Sequence, residues 1–260
     1  HSQDRNAFRL GGNSGATICA DIDNDGWIDL LTTEIVHWDV GGSSDGSELL
    51  FNQQSADPNF ARPGNASTGL LRSHDIVDWN DGDITSAVWD FDADSWPDVY
   101  IGSTDYPGTR GLLYRQVSAG VFEPVSIEEG IDHRRSHGIA VADFDRDGDL
   151  DVVIGHSTGR CQGECYDSKH VRLYEAQFEE SANVISLELV GSGGSNVAAI
   201  GARVSVTAGE VTQTQEVGGG HGHYGAQNDL RLLFGLGGSC EASATIHWPD
   251  RDRTEQALTL

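Results

Sequence analysis

Apolar residues fall along this chain in short runs fenced by Asp, Gly and Ser, and the runs come in pairs around three acidic segments. Residues 16–20, 85–89 and 138–142 precede the segments, and residues 30–33, 99–102 and 152–155 follow them. Runs this short, rich in β-branched side chains and bounded by turn formers, predict strands. A third strand is predicted in each unit at 48–51, 111–114 and 171–174, with a fourth at 121–125 in the second unit. The acidic segments begin at Asp21, Asp90 and Asp143, which are 69 and 53 residues apart. That period suits a four-stranded sheet with loops of variable length, the repeating unit of a β-propeller. From Asn183 the acidic segments stop. Five further runs, at 184–190, 201–207, 211–217, 230–234 and 244–248, predict a second sheet system. The expected fold is all-β: a partial, three-bladed propeller in residues 1–180, then a small β-sandwich or barrel-like domain in 181–260.

The candidate chemistry sits between the paired strands. The segments read Asp21-Ile-Asp23-Asn-Asp25-Gly-Trp27-Ile-Asp29, Asp90-Phe-Asp92-Ala-Asp94-Ser-Trp96-Pro-Asp98 and Asp143-Phe-Asp145-Arg-Asp147-Gly-Asp149-Leu-Asp151. Carboxylates at positions 1, 3, 5 and 9 of such a loop repel one another unless a hard cation lies between them. Ca²⁺ takes about six to eight oxygens, so four Asp, a backbone carbonyl and water would satisfy it. The carbonyl is expected from position 7: Trp27, Trp96 and Asp149. Gly26 and Gly148 suit a positive φ at position 6, which only Gly adopts without steric cost. Ser95 at that position predicts a strained turn or weaker binding in the second loop. An EF-hand is excluded, because its bidentate Glu at position 12 is replaced by Thr32, Ile101 and Ile154. Asp-rich turns also form without metal by bonding their own backbone. The threefold recurrence of four aligned carboxylates argues for the ion, and Ca²⁺ is expected at three sites.

These three units resemble the blades of the integrin-type FG-GAP/VCBS repeat, whose loops carry the same D-x-D-x-D-G-x-x-D pattern. The resemblance implies a Ca²⁺-binding propeller with the twelve Asp at positions 1, 3, 5 and 9 as ligands. The C-terminal region is similar to the ASPIC/UnbV domain on four landmarks. They are Ser195-Asn196 followed by residues 200–204, Gly218-Gly-Gly220 with Gln227, Phe234-Gly-Leu-Gly237, and Trp248-Pro249-Asp250. Arg251 replaces the usual Gly after the last of these. Three blades do not close a propeller, which takes about four to eight, so further blades are expected, from a longer polypeptide or from another copy.

Composition narrows the setting. Asp and Glu number 41 against 16 Lys and Arg, a formal charge of −25. Three bound dications would leave about −19, a field that disfavours nucleic acid and anionic membranes, whose phosphates need basic patches. No apolar run is long enough to span a bilayer as a helix. With no Met and His1 in first place, a preceding segment is expected, and the setting is expected to be extracellular or at the cell surface. Cys161 and Cys165 are expected to form a local disulfide there. Cys19 and Cys240 could pair across the two regions, but buried free thiols are expected. Arg72, His74, Arg135 and His137 precede inner strands, where they would rim a channel mouth or simply tie loops together. His221 and His223, two apart, would share a face if they lay on a strand. No nucleophile elbow, phosphate loop or HExxH motif occurs. The expected function is a Ca²⁺-stabilised adhesion or interaction protein that presents loops to a protein or glycan. A hydrolase or lyase at the channel mouth, or a filament subunit, are the alternatives.

Overall fold

The computed structural model describes residues 14–39, 45–74, 77–104, 106, 108–159, 165–167, 171–177 and 183–260. Within them the chain forms small antiparallel sheets and one helical turn, α1 (Asn65–Thr68). The first sheet orders β1 (Ser14–Ala20), β2 (Asp29–His37), β3 (Glu48–Asn52) and β4 (Phe60–Ala61), with β5 (Asn80–Gly82) pairing the far end of β2. The second orders β6 (Thr85–Trp89), β7 (Asp98–Gly102), β8 (Leu112–Ser118) and β9 (Val121–Pro124). The third contains β10 (Ser136–Ala142), β11 (Asp151–His156) and β12 (Arg172–Tyr174). In each sheet the last Asp of the acidic loop pairs with the residue just before the loop: Ala20 with Asp29, Trp89 with Asp98, Ala142 with Asp151. The three hairpins share one register.

Alternation along the strands explains how the sheets stack. Successive side chains of a strand point to opposite faces. Val99 and Ile101 of β7 enter a core shared with Ile18, Leu31 and Leu49 of the first sheet. Tyr100, between them, enters a second core with Ile139, Val141, Val152 and Ile154 of the third. The middle sheet is therefore apolar on both faces. Its first strand, β6, lies against both β1 and β10.

The C-terminal region forms a two-stranded sheet, β13 (Asn183–Leu187) with β16 (Leu232–Gly237), and a four-stranded one. The latter orders β15 (Val211–Glu216), β14 (Arg203–Ala208), β17 (Ser243–His247) and β18 (Glu255–Thr259). Val204, Val206, Phe234, Ala244 and Ile246 fill the core they enclose. β18 escaped the sequence pattern because four of its five residues are exposed, leaving no buried face to read.

This region sits on the acidic loops, β1 and β10. The Arg203 guanidinium donates to the Gly26 carbonyl, and Ser95 Oγ donates to the Gly235 carbonyl at 3.0 Å. The Val141 amide donates to Asn228 Oδ1 at 3.0 Å, while the Asp229 amide donates to the Val141 carbonyl at 3.0 Å. A cavity of about 390 Å³ remains between the two, lined by Cys19, Trp89, Glu216 and His221 among others. The expectation of buried thiols does not hold, since Cys19 and Cys240 are free and exposed. Cys19 occupies an outward position of β1, where it borders the cavity instead of entering a core. Cys165 is disulfide-bonded, and Cys161 lies outside the described residues.

Candidate metal centres

Each acidic loop folds the same way, and the hydrogen bonds show why Asp is needed at each position. The position-1 carboxylate accepts from the position-6 amide: Asp21 from Gly26 at 3.0 Å, Asp90 from Ser95 at 2.8 Å, Asp143 from Gly148 at 3.3 Å. Position 5 accepts from position 7: Asp25 from Trp27 at 2.8 Å, Asp94 from Trp96 at 2.8 Å, Asp147 from Asp149 at 3.0 Å. Position 3 accepts from position 5 in two loops, Asp23 from Asp25 and Asp145 from Asp147. One oxygen in each loop, Asp21 Oδ1, Asp92 Oδ1 and Asp143 Oδ1, stays buried with no hydrogen-bond partner among the described residues.

Position 9 has a second duty that spacing alone did not reveal. Both oxygens of Asp29 accept backbone amides, from Ile22 at 3.0 Å and from Asn52 at 2.8 Å. Asp98 does the same with Phe91 at 2.9 Å and Gln116 at 2.7 Å, and Asp151 with Phe144 at 3.0 Å and Ala176 at 2.9 Å. The fourth Asp thus clasps the loop to the third strand or the chain just beyond it. No sequence signal marks Asn52, Gln116 or Ala176, because they contribute main-chain amides.

In each loop, ligand atoms of three carboxylates lie within 4.8 Å of one another: Asp21, Asp23 and Asp29; Asp90, Asp92 and Asp94; Asp143, Asp145 and Asp151. Burial pushes the Asp98 carboxyl up to about 9, with Asp92 and Asp90 adding to it. Burial likewise raises Asp29 and Asp90 to about 7, and Asp21 and Asp94 to about 6. Carboxylates crowded and desolvated in this way carry their negative charge at a cost that a bound dication removes. The donor set consists wholly of oxygen, and one buried, unpartnered oxygen in each loop fits a hard cation.

The turn geometry agrees with the expectation at position 6, where φ is +88° at Gly26, +80° at Ser95 and +100° at Gly148. Ser95 is held in this strained region by its amide bond to Asp90 and its hydroxyl bond to Gly235. Position 4 is also left-handed in all three loops, at Asn24, Ala93 and Arg146, which the sequence did not announce. The second loop differs further, because Arg115 Nε lies 2.6 Å from Asp92 Oδ2 and its guanidinium stands over Phe91.

The candidate rim residues are paired with neighbouring groups. Arg72 pairs with Asp81 and Asp83, each at 2.8 Å, and His74 with Asp81 at 2.8 Å. Arg135 is buried and donates to the Gly159 carbonyl at 3.1 Å. His137 Nδ1 lies 3.2 Å from the Tyr224 hydroxyl, which joins β10 to the C-terminal region. His221 and His223 do not lie on a strand. Residues 221–226 form a reversed turn closed by the His221 amide on the Ala226 carbonyl, with Gly222 and Gly225 at positive φ. The alternation that would align the two imidazoles is therefore absent, and they join no three-ligand cluster among the described residues.

No curated protein matches the chain. Residues 90–154, spanning the second acidic loop to the end of the third hairpin, match the FG-GAP-like repeat, and residues 191–259 match the family described as ASPIC and UnbV. The chain carries an FG-GAP-like repeat and a C-terminal ASPIC/UnbV domain.

Proposed function

We propose that this chain is an exported, Ca²⁺-stabilised interaction protein, with sheets one to three as consecutive blades of a β-propeller and the ASPIC/UnbV domain seated on them. The observation that carries the reading is the three carboxylate triads, whose ligand oxygens already converge within 4.8 Å. Asp21, Asp23, Asp25 and Asp29, with their counterparts in the other loops, would hold the ion, and the carbonyls of Trp27, Trp96 and Asp149 would complete the oxygen shell. Ca²⁺ would neutralise the loops and fix the turns, so that binding energy becomes folding energy. The disulfide at Cys165 favours an oxidising, extracellular setting.

Stability should follow the ion. At tenfold excess over its Kd, each site contributes about 1.4 kcal/mol by mass action. A chelator is expected to lower Tm, calorimetric titration should count three sites, and Asp145→Ala should act as partial chelation. Identical melting curves with and without EDTA would overturn the reading.

The blade arrangement has its own consequence. Leu113 of the second sheet is buried against the third, whereas Leu173, its counterpart in the third, is 56% exposed. Leu173 and Val171 thus offer an uncovered sheet face, the place for a further blade from a longer polypeptide or a second copy. Sedimentation should show the 27.9 kDa chain associating. A stable monomer with this face bare would sink the idea of further blades and leave the calcium sites standing.

A further inference from the structure

The second acidic loop distributes its hydrogen bonds differently from the other two. At position 1 of the first and third loops a backbone amide bonds one oxygen, Asp21 Oδ2 from Gly26 and Asp143 Oδ2 from Gly148. Oδ1 of each is left buried without a partner among the described residues. Asp90 in the second loop has both oxygens taken, Oδ1 by the Asp94 amide at 3.1 Å and Oδ2 by the Ser95 amide at 2.8 Å. The unpartnered oxygen moves to position 3, Asp92 Oδ1. Asp92 Oδ2 is the atom that Arg115 Nε holds at 2.6 Å. The oxygen open to an ion thus belongs to a carboxylate whose charge is already met. The converging carboxylates shift too, from positions 1, 3 and 9 to positions 1, 3 and 5.

The strand register brings Arg115 to this place. It is the residue before Gln116, whose amide clasps position 9. The residues before the other two clasping amides, Asn52 and Ala176, are Phe51 and Glu175, so only the second sheet has a positive charge at that position. The Phe91 ring lies under the guanidinium, 5.0 Å from it. No other loop carboxylate has a cationic side-chain partner among the described residues. Arg203 reaches the first loop, but at the Gly26 carbonyl. The second turn is also tied by bonds that need no ion. Ser95 Oγ donates to the Gly235 carbonyl at 3.0 Å, and Asn24 Nδ2 donates to the Ser95 carbonyl at 2.9 Å. A guanidinium fixed beside clustered carboxylates neutralises part of their charge and repels an arriving dication.

We propose that Arg115 is a built-in counter-cation of the second centre. It supplies charge that Ca²⁺ alone supplies in the first and third, so the second centre binds Ca²⁺ least tightly and depends on it least. Affinity in oxygen sites follows the charge of the ligand set, and the molecule therefore fills in two stages as calcium rises, the first and third loops before the second. This inference deepens the calcium reading and rests on it.

Calorimetric titration of the whole chain with Ca²⁺ should show two tighter sites and one weaker. Arg115→Gln keeps a donor for Asp92 Oδ2 and drops the charge. It should tighten the weak site by about tenfold, the order expected when a unit charge no longer faces a dication a few ångström away in largely aqueous surroundings. Arg115→Lys keeps the charge and should leave that site weak. Melting in EDTA should give the opposite sign: Arg115→Gln lowers Tm without calcium, and saturating calcium closes most of the gap to the parent. An Arg115 that only packs on Phe91 predicts an equal drop in Tm with and without the ion. Weaker or unchanged Ca²⁺ binding in Arg115→Gln, equal tightening in Arg115→Gln and Arg115→Lys, or a Tm gap that calcium does not narrow would each overturn the proposal. A parent with three equal calcium sites would strike this inference alone, whereas a parent that takes up no calcium would strike the calcium reading with it.

Discussion

His133 shows at the scale of one residue how burial sets a titration that no sequence motif announces. Its ring is fully buried, in edge contact with His156 and Tyr166 at 5.3 and 5.4 Å and tilted against Tyr174, and neither ring nitrogen has a hydrogen-bond partner among the described residues. Burial, with His156 and then Arg172 adding to it against Asp132, pulls its pKa down to about 4. The folded state therefore binds the proton less well than the unfolded chain, whose histidine titrates near the ordinary 6.5. Stability from this group is fully present above about 6.5 and is lost as pH falls toward about 4. Between pH 7 and pH 5 the loss is about 2 kcal/mol. His133→Phe fills similar space without a charge to bury, so its stability should fall less over the same interval. Urea unfolding of both proteins with calcium in excess gives the difference. Parallel pH profiles would show that the imidazole is not held neutral by its surroundings.

At the scale of elements, the legible part was whatever repeats with a period. The short β-branched runs at 85–89 and 99–102, bounded by Asp and Gly, predicted β6 and β7, and the same residues explain why the middle sheet packs on both faces. The three acidic loops were legible because Asp recurs at fixed offsets, and their shared register follows from that spacing. What escaped has a common physical cause, since it depends on partners distant in sequence or on main-chain groups that every residue carries. The Asp98 clasp uses the amide of Gln116, and the position-4 turns place Ala93 and Arg146 at positive φ with no Gly to announce them. β5 is a three-residue ribbon of Asn, Asp and Gly that pairs only because β2 runs on past its first partners. The pairing of His221 with His223 failed for the converse reason. A spacing of two aligns side chains only on extended backbone, and two left-handed glycines remove that backbone.

At the scale of the whole molecule, the contact between β16 and the second acidic loop ties the ASPIC/UnbV region to the carboxylate centres. Gly235 accepts from Ser95 Oγ at 3.0 Å and from Gln213 Nε2 at 2.6 Å, so one carbonyl links the loop to the C-terminal sheets. A Cβ on Gly235 would lie 2.6 Å from the Ala93 carbonyl oxygen and 2.9 Å from Asp90 Oδ2. The first of these is main chain inside a loop pinned by its own hydrogen bonds, so it cannot yield cheaply. Gly235→Ala must therefore lift β16 off the loop or distort the turn that positions Asp90. Overpacking of this kind costs about 1–3 kcal/mol, and it falls on the seam between the two regions. The expected outcome is a lower urea midpoint, with the C-terminal region becoming susceptible to proteolysis before the repeat sheets. Gly238→Ala is the control, because nothing lies within 4 Å of its Cβ position, and it should unfold like the parent. If Gly235→Ala and Gly238→Ala shared the parent's midpoint and cleavage pattern, the close approach of β16 to the second loop would not be what holds the two regions together.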